Sequence, residues 1–293
     1  GAWGAGGNLN TGRGQMMGSG AGSQTAALGA GGYNSGAKDE SEEYNGSSWT
    51  EGDNLNTGRY DTSGFGTQTA GVCVTGHDGT ALNSAVEEYN GTSWTEVTNL
   101  PTTRAQISGL GILTAGVIVG GNPGVAESFE YDGTNWSEGG DLNTGRTFIG
   151  TSGVLTASIA AGGKTTVAVA NTETYNGTSW TEVGDLGTAR YGGAAFGTTD
   201  SAVHATGAIS PPGAVSALVE EYSGVAWAEV ANVSSARKKT PSSGSGTSSS
   251  AVIFGGNDPD FSTATEEWDQ TSTLAAGAWA TGGNLNTGRA QLY

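Results

Sequence analysis

Trp3, Trp49, Trp94, Trp136, Trp180, Trp227 and Trp279 each stand ten residues before an arginine, respectively Arg13, Arg59, Arg104, Arg146, Arg190, Arg237 and Arg289. This spacing constrains the fold more than any other feature of the 293-residue chain, because self-similarity at a period of roughly 20–50 residues marks solenoids, propellers and arrays. Successive copies are 46, 45, 42, 44, 47 and 52 residues apart. Tyr44, Tyr89, Tyr131, Tyr175 and Tyr222 lie five residues before the Trp that follows them, while Trp268 stands at that place in the last unit and lengthens the link to Trp279. The units are therefore bounded at 13–58, 59–103, 104–145, 146–189, 190–236 and 237–289, with 1–12 left as an extra or ring-closing outer strand.

Each unit reads as four short strands. Asn45-Gly46, Asn90-Gly91, Asp132-Gly133 and Asn176-Gly177 separate the Tyr and Trp segments, and such dipeptides signal a hairpin whose type I′ turn needs positive φ at both positions. The runs Thr25 to Ala30, Thr114 to Val119 and Ser250 to Phe254 are short, Gly-bounded and partly β-branched. No window sustains the i, i+3, i+4 pattern of a helix. The expected class is all-β, and since such a unit cannot bury both faces of its sheet alone, radial stacking of sheets is the expected solution.

The ordered set Gly31-Gly32, Tyr44 and Trp49 recurs as Gly120-Gly121, Tyr131 and Trp136 and as Gly162-Gly163, Tyr175 and Trp180. In this the chain resembles the kelch family of β-propellers over nearly its whole length. The resemblance implies a kelch-like β-propeller of six four-stranded blades with a redundant terminal strand, since both 1–13 and 277–289 carry the Trp segment. A fifth strand on one blade, a strand lent to a neighbouring chain and a cut from a longer array are the three explanations of that redundancy. Two units depart from the glycine pair, with Gly76-His77 in its place in the second and Thr206-Gly207-Ala208 in the fifth. The phrases TSWTEV, NLNTGR and TQTAGV further resemble kelch-like repeats of virion proteins of marine bacteriophages, including phages of cyanobacteria. That likeness implies a fibre, tail or capsid-surface component, localised to the virion or otherwise extracellular, with other virion proteins, copies of itself and host surface glycan as partners.

The net charge of −17, with only 13% of residues charged, disfavours non-specific binding of nucleic acid or anionic membrane. The longest apolar stretch, Ile112 to Val119, is interrupted by Thr114 and Gly116 and is too short to span a bilayer, so no membrane insertion is expected. GAWGAGGNLN has neither the basic segment nor the apolar run of a signal peptide. Cys73 is the single cysteine, which excludes an intrachain disulfide and a multi-cysteine metal site.

Catalysis finds few candidates. In Glu42-Glu43, Glu87-Glu88, Glu220-Glu221 and Glu266-Glu267, neighbours on a strand point to opposite faces, so neither pair converges on a glycosidic bond. One Glu of each pair is expected to bind the recurrent Arg or backbone amides, and the other to face solvent. His77 and His204 are the two histidines; aligned with Leu28 and Val117, His204 is expected to be packed. Nucleophile-elbow, zinc and phosphate-loop motifs are absent, and neither an enzymatic activity nor a cofactor or metal is expected. The recurrent Trp, Tyr and Arg read as scaffold, because a binding site normally breaks the symmetry of its repeat. Recognition is instead expected on the loops after the glycine pair, which vary from unit to unit: Tyr33, His77, Asp78, Asn122, Asp258, Asp260 and Phe261, together with the Ser210 to Gly213 loop.

Overall fold

The computed structural model describes residues 1–270 except 19, 21, 211–213 and 244–246. Among these the chain is all-β and forms six antiparallel four-stranded sheets, the blades of a propeller. Blade 1 comprises Met17–Gly18, Ala27–Ala30, Ser41–Tyr44 and Trp49–Glu51. Blade 2 comprises Ser63–Thr67, Ala70–His77, Leu82–Tyr89 and Trp94–Glu96, and blade 3 comprises Ser108–Ile112, Ala115–Val119, Ser128–Tyr131 and Trp136–Glu138. Blade 4 runs through Gly150–Val154, Ala157–Ala161, Thr172–Tyr175 and Trp180–Glu182, and blade 5 through Ala194–Gly197, Ala202–Ala205, Val219–Tyr222 and Trp227–Glu229. Blade 6 takes Ser242–Ser243, Ser250–Phe254 and Thr265–Asp269 from the far end of the chain and Ala2–Ala5 from the near end. Trp3 there lies opposite Trp268, so the first of the two redundant Trp segments closes the ring. Trp279 and Arg289, which carry the second, lie outside the described residues.

The hairpins at the Asn-Gly and Asp-Gly steps form, but not with type I′ turns. Tyr44 pairs with Trp49 across a four-residue connection, in which only Gly46 has positive φ. Asn45 instead uses its side-chain carbonyl to accept the N–H groups of Ser47 and Ser48, both at 2.9 Å, and Asn90, Asp132 and Asn176 do the same. Asx geometry thus replaces the second left-handed residue.

Apolar burial lies between blades rather than within one central core. Phe65, Val72, Val74 and Val86 of blade 2 meet Ile107, Ile118, Phe129 and Tyr131 of blade 3. Between blades 4 and 5 the buried set shrinks to Ile159, Ala202 and Tyr222. The Leu of the recurrent Asn/Asp-Leu-Asn-Thr-Gly-Arg phrase is buried in each described copy, as Leu9, Leu55 and Leu142.

The remainder of that phrase organises an ion pair inside each blade. Arg13, Arg59, Arg104, Arg146, Arg190 and Arg237 pair with Glu42, Glu87, Glu127, Glu173, Glu220 and Glu266. The second carboxylate oxygen accepts the backbone N–H of the phrase's second Asn, from Asn10, Asn56 and Asn143, each at 2.7 Å. Burial lowers the pKa of Arg13, against the opposing pull of Glu42. In blade 3, Phe129 occupies the carboxylate's usual register position; the Arg104 guanidinium lies 5.2 Å from its ring and reaches Glu127, whose side chain is 53% exposed.

At four seams the glutamate that precedes the tyrosine, or Trp268 in blade 6, does not simply face solvent. It accepts the phenol of the next blade's tyrosine: Tyr89 to Glu43 at 2.5 Å, Tyr131 to Glu88 at 2.7 Å, Tyr175 to Glu130 at 2.6 Å and Tyr44 to Glu267 at 2.6 Å. Burial, reinforced by the carboxylate, pushes Tyr44 and Tyr175 up to about 12. Two seams lack this latch. Thr174 stands at the glutamate's place opposite blade 5, and Trp268 at the tyrosine's place opposite Glu221, which accepts Gln270 instead.

Candidate functional site

The glycine pair ends the second strand of each blade in two successive positive-φ residues, as at Gly162 (φ 65°) and Gly163 (φ 115°). A Cβ at Gly162 would stand 2.5 Å from the Arg190 carbonyl oxygen, which explains the glycine. In blade 2 this geometry belongs to Thr75 (φ 55°) and Gly76 (φ 123°), and in blade 5 to Thr206 (φ 66°) and Gly207 (φ 110°). The pair in blade 2 is therefore Thr75-Gly76 rather than Gly76-His77. His77 then corresponds to Tyr33, Asn122 and Lys164, the residues that leave the pair on the loop face.

Each residue leaving the pair meets the residue after the recurrent Arg. Gly14 bridges Tyr33, Tyr60 bridges His77, Thr147 bridges Lys164, Tyr191 bridges Ala208 and Lys238 bridges Asn257, while Asn122 donates to the Ala105 carbonyl at 2.9 Å. One residue further, Gln15, Asp61, Gln106, Phe148, Gly192 and Lys239 all have positive φ, between 50° and 66°. These six encircle the axis and line, with the small residues of the innermost strands, a cavity of about 120 Å³.

A backbone collar joins them. Gln106 N–H donates to Asp61 O (2.8 Å), Phe148 to Gln106 (3.1 Å), Gly192 to Phe148 (2.9 Å), Lys239 to Gly192 (2.6 Å) and Gln15 to Lys239 (3.5 Å). Left-handed φ is costly for a residue as bulky as phenylalanine, and such strain clusters at functional sites. Asp61, 9% exposed, gathers the side chains: Gln15 Nε2 at 2.8 Å, Gln106 Nε2 at 3.1 Å and Lys239 Nζ at 3.2 Å.

Among the sequence-derived loop residues, Phe261, Tyr33 and His77 come together. Tyr33 lies 5.6 Å from Phe261 and 5.0 Å from Tyr60, and Tyr60 stacks on His77 at 5.0 Å and 29°. This half-buried aromatic run crosses blades 6, 1 and 2. Asp78 is exposed, but its carboxylate serves its own turn, accepting Thr80 and Ala81 N–H at 2.7 and 2.8 Å, which holds its pKa down. Asn122 is exposed on blade 3, away from the run. Asp258 and Asp260 face each other across a two-stranded turn and are exposed. Pro211, Pro212 and Gly213 lie outside the described residues.

Residue-by-residue reading missed Tyr60, Tyr191, Phe148, Lys164, Lys239 and Asp61. Lys164 directly follows a glycine pair, and for the rest the signal was present: after the constant Arg the next two positions read Gly-Gln, Tyr-Asp, Ala-Gln, Thr-Phe, Tyr-Gly and Lys-Lys. His204 is fully buried in blade 5, but it lies opposite Glu220, so its counterparts are Gly29, Cys73 and Ile118 rather than Leu28 and Val117. Its Nδ1 accepts Arg190 Nε at 3.1 Å, and its Nε2 has no partner. Burial, then Arg190, pulls its pKa well below the usual value, which keeps the ring neutral. Among the described residues no group of His, Cys, Asp and Glu is arranged to hold a metal ion. No protein-family model and no curated protein matches the chain.

Proposed function

We propose that the protein is a non-enzymatic recognition module of the kelch type, a surface component of a virion that binds host glycan through the loop face and packs beside other virion proteins or copies of itself. One observation carries the recognition reading: the recurrent side chains of the described blades are engaged in holding blades together, whereas the residues that differ between units gather on one face around the axis. Its half-buried aromatic rings suit sugar rings, whose C–H faces pack on aromatic surfaces as other apolar groups do. The non-enzymatic reading is supported by the two histidines, one enclosed against Arg190 and the other stacked on Tyr60 with Nδ1 accepting Gly79 N–H at 2.9 Å. The virion placement rests on the likeness of the repeat phrases.

A glycan array tests the face. Saturable binding should fall at least tenfold in the Tyr33→Ala, Tyr60→Ala, Phe261→Ala triple variant with an unchanged circular-dichroism spectrum. Binding that survives the triple change rejects the aromatic run as the contact surface. Mass spectrometry of purified particles tests the placement, and absence of the chain from them removes it. A free extracellular or cellular propeller is the second reading, favoured by the closure of blade 6 with this chain's own Ala2–Ala5 strand, a ring that needs no partner.

A further inference from the structure

The chain carries 28 acidic residues against 11 basic ones, and the described arginines are buried in blade ion pairs, from Arg13 at 0% to Arg104 at 3% exposed. Among the described side chains, the positive charge left to meet a ligand is that of the lysines, Lys38, Lys164, Lys238 and Lys239. All of them lie on the loop face. Lys38 is in the loop after the first glycine pair and is matched by Glu40 at 3.6 Å. Lys164 and Lys239 lie in one sector above blades 4, 5 and 6, and Lys238 precedes Lys239 in the chain, its backbone bridging Asn257 of blade 6. Lys164 Nζ lies 5.4 Å from the Tyr191 ring and Lys239 Nζ 4.7 Å from the Phe148 ring, and these two rings are 6.0 Å apart.

Lys239 has Asp61 as its counter-charge, whereas Lys164 and Lys238 have no carboxylate within ion-pair distance among the described residues. Burial lowers the Lys239 pKa first, Asp61 opposes it, and Lys238 and Lys164 lower it further. An acidic chain that concentrates its available ammonium groups at half-buried positions carries a repulsive cluster there, and an anion relieves it.

We infer that this sector is a subsite for a sulfated sugar, with Lys164 and Lys238 taking the sulfate and Tyr191 and Phe148 presenting their edges to the sugar ring. The inference rests on the reading of the loop face as the recognition surface. Two features favour a sugar over an acidic peptide. Arginine is the side chain that matches a planar carboxylate bidentately, and the described arginines are enclosed. The lysines are set against aromatic rings instead, which pairs a point charge with the apolar surface a pyranose requires.

The test titrates the full chain with a sulfated dextran oligosaccharide, with unsulfated dextran of the same length and with poly-glutamate. Saturable binding of the sulfated oligosaccharide is expected, weakening as salt rises. It should fall at least tenfold in Lys164→Gln/Lys238→Gln and be unchanged in Lys38→Gln, with circular dichroism the same in all three proteins. An equal loss in Lys38→Gln overturns the inference, because diffuse charge would then suffice. Poly-glutamate binding as tight as the sulfated oligosaccharide also overturns it, in favour of an acidic peptide. Failure to bind the sulfated oligosaccharide, while a neutral glycan on the array is lost in the Tyr33, Tyr60, Phe261 variant, removes the acidic subsite and leaves the loop-face reading standing. Binding of no glycan in either experiment removes both.

Discussion

The seam between blades 2 and 3 and the seam between blades 4 and 5 are built from the same repeat and share the axial backbone link, yet differ in apolar packing and in the Tyr–Glu latch. At the first, a large apolar cluster around Phe65 and Ile118 is closed by the Tyr131 to Glu88 hydrogen bond. The second has a small cluster, a threonine where the acceptor should be, and His204 buried with Nε2 unpartnered. His204 also needs room: a Cβ on Gly150 or Gly193 would stand 2.6 or 2.4 Å from its ring. The repeat pattern is thus broken at this seam, the one over which Lys164 meets Tyr191. The aromatic run over blades 6, 1 and 2, by contrast, stands above seams that keep the Tyr–Glu latch.

If the seams differ while the blade interiors do not, breaking a buried ion pair should cost the same on both sides of the comparison. Glu87→Ala and Glu173→Ala should each lower stability in urea by about 3–5 kcal/mol, because each strands a buried guanidinium. Glu127→Ala should cost about 1 kcal/mol, since water already reaches that carboxylate. A large difference between Glu87→Ala and Glu173→Ala would place the asymmetry inside the blades instead.

Acid should find the weak seam next. The folded-state pKa of His204 is depressed, so its contribution is fully present above the unfolded value of about 6.5 and is lost as pH falls towards the folded value. The loss approaches about 1.4 kcal/mol per pH unit for one proton. His204→Ala should flatten that part of the stability profile, and hydrogen exchange at mildly acidic pH should rise first in the strands flanking blades 4 and 5. An unchanged profile in the variant would exonerate His204.

Smaller effects should come from the latches. Tyr131→Phe should cost about 1 kcal/mol, whereas Tyr222→Phe, which has no carboxylate opposite, should stay within about 0.5 kcal/mol. Thr174→Glu supplies the missing acceptor and should raise the urea midpoint slightly, by about 0.5 kcal/mol at most. At high pH the sign reverses relative to His204: the latched Tyr44 and Tyr175 contribute fully below pH of about 10, and that contribution fades as pH climbs through about 12. Ultraviolet titration of tyrosinate checks this.

The ring was legible because Trp, Arg and the glycine pair recur at fixed spacing, each tied to a geometry only a few residue types satisfy. The sixth blade's composition from both ends was equally legible in kind, though not which Trp segment would be used. Harder to read were interactions between units: Glu43 and Tyr89 are 46 residues apart, and a single strand's alternation says only that Glu43 points away from Glu42. Loop recognition was placed on the correct face by variability, but the lysine sector was not seen, since Lys164, Lys238 and Lys239 are joined only by the curvature of the ring. The left-handed site at Thr75 also escaped, because Gly76-His77 resembles a degraded glycine pair more than Thr-Gly does.

The collar of peptide groups around the axis acts as a gauge for the number of blades. Its five N–H···O links between neighbouring blades run in one sense, from Gln15 through Lys239, Gly192, Phe148 and Gln106 to Asp61. Each must span a set arc at hydrogen-bonding distance. A ring of five or seven units would crowd or part them all at once, so an insertion or deletion of one repeat, tolerable at any single seam, would be refused by the circle.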